Sequence, residues 1–288
     1  MHRRDTVPSI GECASLACAL EVVAPKPGNV HRSADFETTT LQDFVVSAIV
    51  VGPILNQASQ LRIGEMVLQS VDATARWVGT NTNLGLILLL APLAKAAARV
   101  TVGVDRATVR TVLNELNELD ARDVYAAIRL ARPGGLGTTE KFDVLQSPPE
   151  NLLVSMSAAA DRDSIARQFA NGFEQVFDFV VPKLVQNVSN GLPLADAVIQ
   201  TQMQTLAEIP DTLIGRKCGM ATAQAAAGRA AKALQHPPDS RDYLDALADF
   251  DFWLRADGNR RNPGTTADLI GAGLFVALRN GMIQLPLR

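Results

Sequence analysis

Five polar or glycine-rich segments interrupt an otherwise Ala- and Leu-rich chain: Pro25-Lys-Pro-Gly-Asn-Val-His-Arg32, Gly79-Thr-Asn-Thr-Asn-Leu-Gly85, Arg132-Pro-Gly-Gly-Leu-Gly-Thr138, Asp211-Thr-Leu-Ile-Gly-Arg-Lys217 and Asn262-Pro-Gly-Thr-Thr-Ala-Asp268. Helices need caps at their ends, but not five loops this rich in donors, and loops held by a rigid scaffold are where function concentrates. Thr80, Asn81, Thr82 and Asn83 precede a long apolar run. Hydroxyls beside the free amides of a helix N-terminus make an anion site, although an ordinary cap would look similar. Gly134, Gly135 and Gly137 let backbone amides approach a phosphate closely, or else form a turn. That segment lacks the Lys-Ser/Thr of a P-loop and the preceding strand of a dinucleotide fingerprint. Lys26, Arg32, Arg216 and Lys217 are candidate phosphate cations, and His31 sits in the most irregular loop. Asp268 suits either a helix dipole or Mg²⁺, which takes one or two carboxylates plus substrate phosphates. The same ambiguity attaches to Asp161 and Asp163. Gly-x-Ser-x-Gly, His-Glu-x-x-His and Cys/His clusters do not occur in the sequence, so nucleophilic triads and zinc hydrolysis are unsupported.

The elements that would position these loops read as helices. Period-3.6 patterning in good helix formers predicts helices at about 9–23, 40–60, 83–99, 105–118, 120–130, 160–188, 194–207, 211–234, 240–256 and 265–280. Thr40, Asn83, Asp105, Asp120, Ser240 and Thr265 are expected N-caps. Val45–Val51 shows no period-2 alternation and no Asn-Gly hairpin joins β-rich runs, so strands are not expected. A single all-α domain over residues 1–288 follows, with no repeat of fixed period to suggest a solenoid.

With 27 Lys+Arg against 30 Asp+Glu the net charge is −3, which argues against a general nucleic-acid binder. An anionic ligand held by a few local cations remains compatible with that balance. Three cysteines, none in a CxxC, point to a reducing cytosol and not to a disulfide framework. The apolar run Leu84–Leu93 is about half a membrane span and contains Pro92, so a buried helix is expected and no membrane association.

Several of these blocks resemble the triphosphoribosyl-dephospho-CoA synthase family. Lys26-Pro-Gly-Asn-Val30 is similar to its Lys-Pro-Gly-x-Val signature, preceded as there by a helix ending in Leu-Glu-Val, here Leu20-Glu-Val22. Thr82-Asn83-Leu-Gly85, Arg162–Gln168 and Pro263–Leu269 resemble later blocks, in order. One departure is present: the family's Gly-x-His-x-Asp-Met stretch is replaced by His31-Arg-Ser-Ala-Asp-Phe36. The glycine-rich loops look more like a divergent branch linked to tetrahydromethanopterin one-carbon metabolism.

The resemblance implies an all-α transferase that moves a triphosphoribosyl group from ATP to the 2′-hydroxyl of 3′-dephospho-CoA, releasing adenine. Two alternatives stay open: a related transferase acting on a pterin or one-carbon cofactor precursor, and a non-catalytic nucleotide-binding module. Displacement at an anomeric carbon passes through an oxocarbenium-like state and needs a carboxylate to take the acceptor's proton. Asp35 is the first candidate for that base, with His31 beside it. The triphosphate would be held by Lys26, Arg32, Arg216, Lys217 and the Thr80–Asn83 segment, with Gly134, Gly135, Thr138, Thr265 and Thr266 as further donors. Asn29 and Asn83 would hold ribose or phosphate oxygens, and Asp163, Asp211 and Asp268 are the candidate Mg²⁺ ligands. ATP and a CoA-like acceptor are the expected partners, and the resemblance leaves a homodimer open. All of these loops are expected to line one cleft.

Overall fold

A computed structural model describes residues 8–101, 103–135 and 141–283. Fourteen α-helices and one π-helical turn occur among the described residues, with no strand. In chain order they are α1 Ile10–Val23, α2 Leu41–Leu55, α3 Ile63–Val78, α4 Leu84–Ala97, α5 Arg106–Asn114, α6 Glu118–Ala131, α7 Leu152–Ala159, α8 Ser164–Asn171, α9 Val181–Ser189, α10 Leu194–Glu208, α11 Thr212–Cys218, α12 Met220–Ala233, α13 Arg241–Arg255 and α14 Gly264–Arg279.

The centre is formed by α4 and α14. Leu84, Leu86–Ala94, Ala96 and Ala97 of α4 are all buried, and so is α14 from Thr265 to Leu278 apart from Asp268. A helix apolar on every face is stable only when surrounded, and α1, α8, α9, α10 and α11 pack around α14 while α1, α2, α3, α5 and α8 pack around α4. The Leu84–Leu93 run is therefore the buried core helix the sequence suggested. Among the described residues no helix is long and apolar enough to cross a membrane.

Start signals hold at Thr40, Asp105 and Ser240, whose side chains accept from the N3 amides. Two expected caps move. Asp120 lies in the first turn of α6, which Asn117 caps, and Thr265 follows Gly264 inside α14. Asn83 occupies the position before α4, but Asn81 Oδ1 accepts from the Leu84 amide, at 3.1 Å.

The expected helix at 160–188 is broken at Gly172, which takes the left-handed conformation and ends α8, and a π-helical turn at Val176–Val180 then leads into α9. The expected helix at 211–234 is likewise split by Gly219. Two helices have no counterpart in the sequence reading, α3 and α7. The start of α3 is Arg62, which has no side-chain oxygen to cap with, and the Glu65 carboxylate accepts from the Arg62 amide in its place.

Candidate active site

A large cavity of about 1300 Å³ opens where the N-termini of α4, α8 and α14 approach the C-terminal turns of α1, α3 and α6. That volume exceeds the roughly 300–1,000 Å³ typical of a one-ligand pocket.

The floor is built from two carboxylates. Glu21 lies in the last turn of α1 and is buried. A carboxylate there opposes the helix macrodipole and needs compensation. Lys26 supplies it. The Lys26 ammonium is 0% exposed, lies 2.8 Å from Glu21 Oε1 and also donates to the Glu21 carbonyl. The chain returns through Gly28 at φ 76°, and an added Cβ there would overlap Leu254 and Pro263. Asp251 accepts from the Gly28 amide at 2.7 Å, and Arg255 donates to the Asn29 carbonyl, so α13 clamps the loop. Asn29 then faces the cavity, with its Nδ2 on Asn262 Oδ1 at 2.7 Å.

Asp268, in the second turn of α14, is the other carboxylate. Burial pushes its carboxyl well above the ordinary carboxylate range, and the negative charges of Glu21, Asp211 and Asp163 push in the same direction. Only the Leu86 amide at the start of α4 acts against them. The site depends on Gly85: a Cβ at that position would lie 2.0 Å from Asp268 Oδ2. Gly85→Ala is thus expected to drive the carboxylate aside. The yielding atom is the end of a side chain, so the fold should survive. The expected result is lost turnover with a melting temperature within a few degrees of wild type, read by thermal melts and a product assay; unchanged turnover would show that Asp268 position is immaterial.

The walls carry cations. Among the described residues, Arg129, Arg132, Lys141, Arg162, Arg216 and Lys217 line the cavity against Glu21, Asp163 and Asp268 of opposite sign, in a chain whose net charge is −3. Arg216 pairs with Asp163 at 2.8 Å, and Asp163 also caps α8 by accepting from Ile165 and Ala166. Lys217 runs beside the glycine loop, its Nζ 3.8 Å from where a Cβ on Gly134 would stand. Thr80, Asn81, Thr82 and Asn83 line the facing side, with Thr82 Oγ1 and Ser47 Oγ sharing a 2.6 Å hydrogen bond.

Loops far apart in sequence thus meet at one cavity, as expected, through Asn29, Thr80–Asn83, Gly134, Asp163, Arg216, Lys217, Thr265 and Asp268. Other expected site residues do not line it. Lys26 lies beneath the floor, matched to Glu21. His31 is buried in a tight turn closed by its bridge to Ala34, accepts from the Ser33 amide at Nδ1, and has its pKa lowered by burial and by Arg255. Arg32 is exposed outside. Asp35 is exposed and accepts from the Leu41 amide at 2.7 Å, which makes it a cap of α2. Asp211 is fully engaged inside the protein, accepting from Leu213 and Ile214 amides and from the amide and hydroxyl of Thr266. That network also removes Thr266 from the cavity. Gly135 packs on Lys217 behind the lining, and Thr138 lies outside the described residues.

Asp35→Asn is accordingly expected to leave both turnover and stability near wild type, since asparagine caps about as well as aspartate. A hundredfold loss of kcat would restore Asp35 as the base. Glu21, in turn, was missed as a site residue. Its signal was a carboxylate in a helix's last turn, where the dipole disfavours it.

An all-α scaffold that gathers backbone amides, cations and two carboxylates around one oversized cavity defines an enzyme for a large polyanionic substrate. The chain belongs to the family of ATP:dephospho-CoA triphosphoribosyl transferases, whose model matches residues 8–285. It is accordingly a transferase. Among solved structures it is similar to a "putative triphosphoribosyl-dephospho-coA synthase" from Archaeoglobus fulgidus, with 27% identity and a TM-score of 0.64 over 82% of this chain and 99% of that one. A comparison with curated proteins found no match.

Proposed function

We propose that this cavity transfers the triphosphoribosyl group of ATP to the 2′-hydroxyl of 3′-dephospho-CoA. The observation that carries the reading is the pairing of a carboxylate floor, Glu21 and Asp268, with six cations on the walls of one cavity. The acceptor oxygen bonds to the ribose anomeric carbon as the bond from that carbon to the adenine nitrogen breaks. The bond's electron pair leaves with adenine, and the hydroxyl proton, taken first by a carboxylate, ends on the released base. Glu21 is that carboxylate: it lines the cavity and is held in place by the Lys26 ammonium at 2.8 Å. Arg162, Arg216, Lys217 and the Thr80–Asn83 amides and hydroxyls bind the triphosphate.

Mg²⁺ fits the oxygen donors present. Among the described residues no cluster of three or more acidic, His or Cys side chains forms a complete cage. Mg²⁺ commonly takes one or two carboxylates and completes its shell with phosphates and water. Asp268 would hold it, helped by the Asn29 Oδ1, which is buried without a partner. When bound, the ion neutralises triphosphate charge.

The test is adenine release from Mg-ATP with and without dephospho-CoA. Release that depends on dephospho-CoA, with a joined product of matching mass, is the expected result. Turnover with a pterin precursor in place of dephospho-CoA would replace the acceptor, and no release with either would overturn the reading.

A further inference from the structure

One end of the cavity differs from the rest. Where α3, α4, α6 and α7 form its wall, the lining is mostly apolar, Val71, Ala75, Leu88, Ile128 and Met156, with the hydroxyls of Thr74, Tyr125 and Ser155 set among them. Tyr125 donates to the Phe142 carbonyl at 3.1 Å, so its ring is fixed in the wall.

Of the buried hydroxyls without a partner among the described residues, Ser70, Thr74 and Ser164, Thr74 is the one whose residue lines the cavity. It is 4% exposed, and its Oγ1 has no hydrogen-bond partner. Other buried helical threonines of this chain satisfy themselves on the preceding turn: Thr201 donates to the Ala197 carbonyl and Thr205 to the Thr201 carbonyl, at 2.6 and 2.7 Å. A buried hydroxyl left unbonded costs about 1–3 kcal/mol, and such a group calls for an explanation. Its place on the cavity wall supplies one.

An uncharged occupant suits this wall, since the one charge that these four helices put on the lining, Arg129, donates to the Val144 carbonyl. It must be largely apolar to suit the walls, and it must offer a hydrogen-bonding edge to Thr74. We infer that this compartment is an adenine-recognition subsite, with Thr74 Oγ1 bonding the ring edge. The assignment rests on the transfer reaction proposed above, in which both substrates carry adenine: ATP as its leaving group and dephospho-CoA as part of its nucleoside. Leu88 lies one helical turn beyond Leu84, at the α4 terminus that Gly85 and Asp268 share. An adenine held there has its ribose near the carboxylate floor.

The experiment compares wild type with Thr74→Val, which keeps the shape and removes the hydroxyl, and Thr74→Ser, which restores it. Calorimetry measures Kd for ATP, dephospho-CoA and free adenine on each. One hydrogen bond should appear as a loss of about 3- to 10-fold in Thr74→Val, recovered in Thr74→Ser. The unliganded Thr74→Val protein should melt no lower than wild type, because the lost hydroxyl had no partner. Weakening confined to ATP and adenine assigns the subsite to the leaving base; weakening confined to dephospho-CoA and adenine assigns it to the acceptor. Unchanged Kd for all three overturns the inference. If the valine variant weakens binding while wild type releases no adenine, the subsite stands and the proposed reaction fails.

Discussion

Glu21→Gln lowers kcat by about 10²–10⁴-fold, the usual worth of general-base catalysis, while ATP affinity is retained. The amide keeps the shape of the side chain but accepts no proton. A phosphate-binding residue behaves differently: Lys217→Ala weakens nucleotide binding along with turnover. Because Glu21 and Lys26 are a buried pair, either single substitution also strands the opposite charge. Breaking such a pair costs about 3–5 kcal/mol, which is on the order of 10 °C in melting temperature. The double variant Glu21→Gln with Lys26→Met removes both charges and should recover most of that loss, yet remain inactive. Thermal melts and an adenine-release assay on the four proteins separate the two roles. A Glu21→Gln enzyme with near-wild-type kcat would remove Glu21 as the base, and a double variant as unstable as the singles would contradict the pairing.

The second large effect runs in opposite directions for activity and stability. Asp268→Asn abolishes turnover and raises the melting temperature at pH 7. The Asp268 carboxyl is raised well above its ordinary value in the folded chain, so the folded state binds that proton more tightly than the unfolded state does. The linked stabilisation is fully present below the unfolded value of about 3.9 and is lost as pH rises through the folded one. Above that range the wild-type protein must either hold the carboxylate against burial and the charges of Glu21, Asp211 and Asp163 or keep its proton, and asparagine removes that cost. The gap between variant and wild type should therefore shrink on acidification. Asp211 is also raised by burial and adds acid-side stabilisation that both proteins share, so the difference curve isolates Asp268. Mg-ATP should stabilise the wild type through binding to the native state and stabilise Asp268→Asn less. Loss of stability at pH 7 in Asp268→Asn, or full activity, would overturn this account. A functional site that costs stability in the resting protein is a common compromise.

Much of the helical order is legible from residue type and spacing. Thr40, Asp105 and Ser240 announce helix starts because a short side-chain oxygen fits the free amides there. Gly172 and Gly219 were legible too, as residues able to leave the helical region, but the apolar pattern runs through both and masked the breaks. The start of α3 was not legible because Arg62 is no cap. The family blocks pick out the right loops. Their polar content does not reveal which side chains reach the cavity, because a carboxylate that caps a helix and one that faces a substrate have the same local sequence signature. Asp35 and Asp268 show this: both lie in polar segments beside a helix, one bonded to the Leu41 amide outside and the other on the cavity floor.

The sequence by itself determined an all-α chain, a buried α4 and the set of loops that converge. It did so through local terms, namely periodicity, capping chemistry and the conformational freedom of glycine. Only the tertiary structure decided that Lys26 neutralises Glu21 from below, that Asp211 is consumed by α11 and α14, and that six cations share one wall space. Those outcomes depend on burial and on the fields of groups up to hundreds of residues away. A charge's role is set by what surrounds it in space, and spacing along the chain carries no record of that.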